Sequence, residues 1–168
     1  MTIEIVRAKK SEKSVLRQLM ELCNHDFSEH TGDDVDEHGF YGYTYLDHYW
    51  TDEARHPFFI MANGRYAGFV LVNNHCKYIS GDNIHSVAEF FVLRKYRKKG
   101  VGRQAAKMIF DKFDGLWEVK ILYTNVPALS FWSKVIDEYS GGRHTFHSMP
   151  AAGWDGLGYT FNSNTRVH

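Results

Sequence analysis

The residues best suited to chemistry in this chain are Arg97-Lys98-Lys99-Gly100-Val101-Gly102. They follow an apolar strand pattern, Ala88 to Leu93, and precede a helical one. The start of a helix leaves backbone N–H groups unpaired, and its dipole favours negative charge. Gly100 and Gly102 would let the backbone approach a ligand where a Cβ would obstruct it. From Arg94 to Arg103, six of the ten residues are Lys or Arg, more positive charge than a turn needs to fold. The chemistry that fits is capture of a phosphorylated ligand. Gly100-x-Gly102-x-x-Ala105 also matches the loose dinucleotide fingerprint. That reading requires a carboxylate where the next strand ends, and Leu122-Tyr123-Thr124-Asn125 has none. A P-loop is excluded because no Gly-Lys-Ser/Thr follows at the required spacing. A solvated basic loop that merely contains glycines is the plain alternative.

The elements that must position this turn are legible in outline. Ile3 to Val6 is a short strand. Ser11 is a candidate cap for a helix in which Val15, Leu16, Leu19, Met20, Cys23 and Phe27 recur at helical spacing. Asn24 to Trp50 has poor periodicity and is expected to be a long loop with one short helix near Tyr43 to Trp50. Pro57 to Met61 and Tyr66 to Val72 form a hairpin around Asn63-Gly64, since a type I′ turn needs positive φ at both central residues. A turn near Ser80 to Asn83 leads into the strand His85 to Leu93. The helix Val101 to Phe113, the strand Val119 to Tyr123 and the helix Pro127 to Tyr139 follow. Strands near Thr145 to Met149 and Leu157 to Phe161 close the chain. This order predicts an α/β (α+β) domain spanning 1–168, a mixed sheet with helices on its faces.

Bulk properties limit the functions available. The chain has 168 residues, 43% of them hydrophobic and 15% aromatic, which suits one globular domain with a sizeable core. Formal net charge is zero, so nothing global points to nucleic acid or an acidic membrane, and the basic cluster is local. Cys23 and Cys76 have no metal-type spacing and fit a reducing cytoplasm better than a disulfide scaffold. There is neither a signal-peptide pattern nor an apolar run long enough to span a bilayer, so a cytoplasmic protein is expected. Edge strands and many aromatic residues leave room for a homodimer.

Two linked motifs carry a resemblance. Val92-x-x-x-x-Arg97-x-x-Gly100-x-Gly102, with Ala88-Glu89 before it and an alanine-rich helix after it, resembles the acetyl-CoA-binding motif of the GNAT superfamily of N-acetyltransferases. Asn125-x-x-Ala128-x-x-Phe131-Trp132 resembles that superfamily's second motif, and the two lie one strand apart, as in the family. The resemblance is specific over about Val87 to Tyr139. It implies a strongly twisted central sheet whose middle strands splay apart in a V, with the pantetheine arm of acetyl-CoA between them. The backbone of Phe91, Val92 and Leu93 would then pair with the pantetheine amides like an added strand. The N–H groups from Lys98 to Arg103, Gly100, Val101 and Gly102 included, would hold the pyrophosphate. Arg97, Lys98, Lys99 and Arg103 would add charge-assisted contacts. Asn125 would touch the cofactor arm or cap the second helix.

The reaction implied is acetyl transfer from a thioester to a primary amine of a small molecule or peptide. Glu89 is the candidate general base, with a carboxylate paired to a core Arg or Tyr as its structural alternative. The Val92 N–H is the candidate oxyanion donor. Many family members have a tyrosine where this chain has Trp132, and an indole cannot supply a proton to the departing sulfur. Tyr123 is a candidate replacement, as is departure of the thiolate without help. A catalytically weak acyl-CoA-binding domain is therefore the second functional reading. A nucleic-acid patch over Arg94 to Arg103 is a third, which the neutral total charge disfavours. The histidines His25, His30, His38 and His48 match no compact ligand spacing, so no metal is expected. The acidic and aromatic residues around Asp33, Asp34, Asp36 and Glu37 are expected to attract a cationic amine.

Overall fold

The computed structural model describes residues 1–151 and 153–166. A seven-stranded sheet in the order β1-β2-β3-β4-β5-β7-β6 is built from β1 (Ile3–Arg7), β2 (His56–Ala62), β3 (Arg65–Asn73), β4 (Ile84–Val92), β5 (Leu116–Leu122), β6 (His144–His147) and β7 (Gly156–Asn162). The helices are α1 (Lys13–Thr31), α2 (Val101–Lys112) and α3 (Val126–Ser140). All neighbouring strands are antiparallel except β4 and β5. The Asn63-Gly64 hairpin forms as expected, with φ of 49° and 73° at its two central residues.

Central strands are buried on both faces, which is why β2 and β3 carry near-continuous apolar runs. One face packs against α2 and α3 through Val70, Val87, Val92, Trp117, Ile109 and Ile136. The other packs against α1 and the loop after it through Phe59, Phe69, Leu71, Phe91, Leu16 and Met20. Residues alternate between these faces along each strand.

β4 and β5 pair in parallel only over Ile84–Val87 and Leu116–Val119. Both strands run on, β4 against β3 as far as Val92↔Gly68 and β5 against β7 as far as Leu122↔Gly156. The sheet therefore opens between them in the V that the resemblance implies. A bulge begins the opening: Val72 opposes Val87 while Leu71 opposes Glu89, so Ala88 is the extra residue. A bulge bends its strand and increases local twist, which turns β4 away from β5.

The start of the chain differs from expectation. Ser11 does not cap α1; a 3-10 turn at Lys10–Glu12 opens it, and Glu12 accepts from the Lys9 N–H at 2.8 Å. α1 also continues through the stretch expected to be loop and ends at Gly32, a left-handed residue with φ of 75°. His25 and His30 thus lie on a helix. Their turn shows little apolar periodicity because only Phe27 packs inward there. The loop proper runs from 32 to 55, is pinned by the buried Leu46 and Tyr49, and has its short helix as a 3-10 turn at Leu46–Trp50.

Candidate active site

Between the end of β4 and the first turn of α2 the backbone makes an uninterrupted row of free donors. The N–H groups of Lys98, Lys99, Gly100, Val101, Gly102 and Arg103 have no acceptor among the described residues; the first to find one is Gln104, bonded to the Gly100 carbonyl at 3.0 Å. Lys98 and Gly100 supply the left-handed geometry, with φ of 57° and 80°. Free N–H groups at the start of a helix suit an anion, and the helix dipole reinforces this.

The side chains around the bend are less free than their number suggests. Arg97 donates through Nε to the Val92 carbonyl at 2.7 Å and pairs with Asp26 of α1, where Arg94 adds a second contact at 2.9 Å. Burial alone would raise the Asp26 carboxyl, but the two guanidiniums outweigh it and hold the group below its ordinary value. Arg103 is held by Glu138 of α3 at 2.6 Å, and Lys107 reaches the same oxygen at 2.9 Å. Lys98 and Lys99 make no ion pair among the described residues. Of the four cations expected to reach a phosphate, two are thus already engaged in fastening helices to the bend. Gly102 also has a use that the sequence did not suggest. A Cβ there would come within 3.2 Å of the Phe131 ring, so its bareness lets α2 and α3 pack closely.

The arms of the V present different groups. Leu93 N–H bonds to the Ala67 carbonyl at 2.8 Å. By the alternation of an antiparallel ladder, Phe91 and Leu93 therefore turn their main-chain groups towards β3, while Phe90 and Val92 turn theirs into the opening. This corrects the expected set: Val92 stays, Phe90 joins it, and Phe91 and Leu93 contribute no main-chain group to the V. The Val92 carbonyl is occupied by Arg97, which leaves its N–H as the donor there. Gly68, across from Val92, allows this approach, since a Cβ on it would collide with the Phe91 carbonyl.

Glu89 lies on the α1 side of the opening. Burial pushes its carboxyl up to about 7, against the opposing pull of the Tyr43 hydroxyl and the Lys120 ammonium. Lys120 lies across the V on β5, on the same face, and donates to the His75 carbonyl at 3.3 Å. Tyr43 and Tyr49 come from the 32–55 loop, and burial raises both phenols. Below this row, where β4 and β5 are still paired, Asn73, Ser86 and Glu118 stand side by side across three strands. Glu118 is fully buried and accepts from the Lys77 and Tyr78 N–H groups at 2.9 and 2.6 Å, which ties the 74–83 loop to the sheet. Tyr43 and Tyr49 belong to the aromatic segment expected on the acceptor side, although nothing in the sequence links them to Glu89. Lys120 and Glu118 are not singled out by the sequence, and their only signal is strand parity, which puts them on the face opposite Trp117 and Val119.

The remaining expected residues are placed as follows. Trp132 is 6% exposed and packs in the core on the α3 side, edge-on to Phe90 and Phe131 with ring centroids 4.9 Å from each. Tyr123 is 44% exposed, just past the end of β5, and donates to the Ser148 carbonyl at 3.4 Å. The Asn125 side chain accepts from the Ala128 N–H at 3.2 Å and so caps α3. Asp33 and Asp34 border an open cavity of about 490 Å³ with His25, Glu29, Tyr41 and Arg94. Asp36 and Glu37 do not border it, and Asp36 instead closes a turn through the His38 and Phe40 N–H groups.

Opened strands, a bulge at their parting and a run of free N–H groups leading into a helix are the parts of an acyl-CoA cleft. The acetyltransferase (GNAT) family matches over residues 16–136. The chain belongs to that family. Acetyl-CoA is the cosubstrate that goes with GNAT enzymes. No curated protein matches it by sequence. Among solved structures, it resembles an acetyltransferase from Thermus thermophilus with a TM-score of 0.69 at 14% identity, over 96% of this chain and 97% of that one. It also resembles PaiA N-acetyltransferase from Thermoplasma acidophilum in complex with coenzyme A, with a TM-score of 0.61 at 13% identity, over 96% and 99% of the two chains. Spermidine N-acetyltransferase from Vibrio cholerae, in complex with CoA and spermine, gives 0.66 at 9% identity, over 97% and 96%. At these identities the likeness is one of fold. Among the described residues of this GNAT chain, no helix is long and apolar enough to cross a membrane.

Proposed function

We propose that this protein transfers an acetyl group from acetyl-CoA to a primary amine of a small molecule or peptide, with Glu89 as the general base. The observation that carries the proposal is the carboxyl of Glu89 standing at the bulge where β4 leaves β5, with its proton affinity raised to about 7. A base works best when its pKa lies near the working pH. In this reading the diphosphate sits on the free N–H groups of Lys98 to Arg103, with Lys98 and Lys99 as its side-chain cations. The pantetheine arm runs along Phe90 and Val92. Glu89 removes a proton from the bound amine, whose lone pair then attacks the thioester carbon. The Val92 N–H stabilises the resulting oxyanion. Collapse of the intermediate expels the CoA thiolate, which takes a proton from the Tyr123 hydroxyl or from solvent, while the acetylated nitrogen gives its remaining extra proton back to that phenolate or to solvent. Trp132, enclosed by rings, has no part in that transfer.

The same burial of Trp132 supports one other reading, a CoA-binding domain with little or no transferase activity. Calorimetry with CoA, combined with thiol release over a panel of amino acids, polyamines, aminoglycosides and peptides, separates the two. CoA binding with amine-dependent thiol release supports the transferase. Binding with no release for any amine supports the second reading, and no binding overturns both.

A further inference from the structure

We propose that Tyr43 and Tyr49 are positioning residues for Glu89: a chain of hydroxyls, Tyr49 to Tyr43 to the carboxylate, closes as the acceptor fills the cleft and aims the base at the acceptor nitrogen. The inference rests on the reading of Glu89 as the base. Three observations carry it. Tyr49 is completely buried, yet its hydroxyl, sealed from solvent, has no hydrogen-bond partner. Such a group is costly to leave unpaired and calls for a reason. The groups it faces are the Tyr43 hydroxyl and the Asn73 side chain, and Tyr43 in turn faces Glu89. Neither contact has the length and angle of an ordinary hydrogen bond, and catalytic contacts commonly tighten as substrate binds. Finally, both tyrosines belong to one loop, whose buried Leu46 and Tyr49 fix it against β3 and α1 while Tyr43 packs at the edge of that core.

The groups facing Glu89 are Cys23 from α1, Tyr43 and Tyr49 from the loop, and Lys120 from β5. Arg97 and Asp26 stand just beyond Cys23. Burial keeps both phenols and the thiol neutral in the working range. The tyrosines therefore donate to the carboxylate and do not compete for the proton it takes. No bond is broken in either phenol.

The test compares Tyr43→Phe and Tyr49→Phe with Glu89→Gln, using whichever amine the panel identifies. Tyr43→Phe should move the acidic limb of the kcat profile, which reports the acceptor-bound complex, to higher pH by about half a unit, because it removes a donor to the ionised form. It should lower kcat about tenfold, with CoA affinity and acceptor KM held within about twofold. Tyr49→Phe should act in the same direction but less. The double variant should be no worse than Tyr43→Phe, since the chain is already cut. An infrared titration of the Glu89 carboxyl in Tyr43→Phe with CoA and the amine bound, which needs no turnover, should show the same upward shift. An unmoved limb and carboxyl, or losses in the two tyrosine variants that simply add, would overturn the positioning role while Glu89→Gln remains inactive. Full activity in Glu89→Gln would instead overturn the base itself, and the positioning role with it.

Discussion

The two sides of the cleft are made of different material. On the side proposed for the cofactor, the groups left free belong to the main chain: six N–H groups on the bend and those of Phe90 and Val92 in the V. The nearby arginines fasten the bend to α1 and α3. On the side proposed for the acceptor, the groups gathered at the opening are side chains from three places, Glu89 on β4, Lys120 on β5 and the tyrosines of the 32–55 loop. The contrast predicts opposite sensitivities. A site built from backbone should tolerate changes of side chain and fail when the backbone is moved. A site built from side chains should fail at single substitutions that leave the fold intact.

The largest expected effect tests the acceptor side. Glu89→Gln should lower kcat/KM by about 100-fold or more, the usual contribution of a general base, with CoA affinity unchanged. The same variant should change stability with pH. Folding raises this carboxyl from its ordinary 4.5 to about 7, so the folded state holds the proton more tightly within that window. The stability associated with Glu89 therefore falls as pH rises from about 4.5 to about 7, then stays level. Glu89→Gln should accordingly be more stable than the parent by roughly 1–3 kcal/mol at pH 8, and equal to it at pH 4. Chemical denaturation at the two pH values measures this.

Moving the backbone is the next test, on the cofactor side. Gly68→Ala places a Cβ against the Phe91 carbonyl and must displace β4 where the V opens. It should cost roughly 2–3 kcal/mol of stability, as overpacking does, and should weaken CoA binding although no ligand contact is removed. Changing side chains there should matter less. Lys98→Ala with Lys99→Ala should weaken CoA about tenfold at low salt, and less as salt rises. Smallest of all is Lys98→Gly. Lys98 occupies the left-handed region, which costs an ordinary residue about 1 kcal/mol, so glycine should raise stability by up to that amount while weakening CoA about threefold at low salt, its share of the double variant's loss.

The same contrast explains what could be read from the chain. The cofactor side rests on local features: a strand, two glycines and a helix start, all contiguous from Ala88 to Arg103. Local spacing shows these directly, and with them the element order and the Asn-Gly hairpin, while the V follows from the resemblance to the GNAT superfamily. What spacing did not show is how the cations are used, since Asp26 and Glu138 lie far from Arg97 and Arg103 in sequence. The acceptor side is assembled from residues about eighty positions apart, and no short pattern links Tyr43 to Glu89 or Lys120. The carboxylates at 33 to 37 drew attention by their number, but the groups gathered around Glu89 are Tyr43, Tyr49, Cys23 and Lys120. Apolar periodicity fades before α1 ends, because in its last two turns only Phe27 packs into the core.

The claim on which the rest depends is that the backbone of the bend holds the diphosphate. Amide NMR of the labelled protein, titrated with CoA and separately with pantetheine, tests it most directly. Large downfield proton shifts at Lys98 to Arg103 with CoA, and none there with pantetheine, are the predicted result. Shifts confined to other residues, or the same pattern with both ligands, would contradict it.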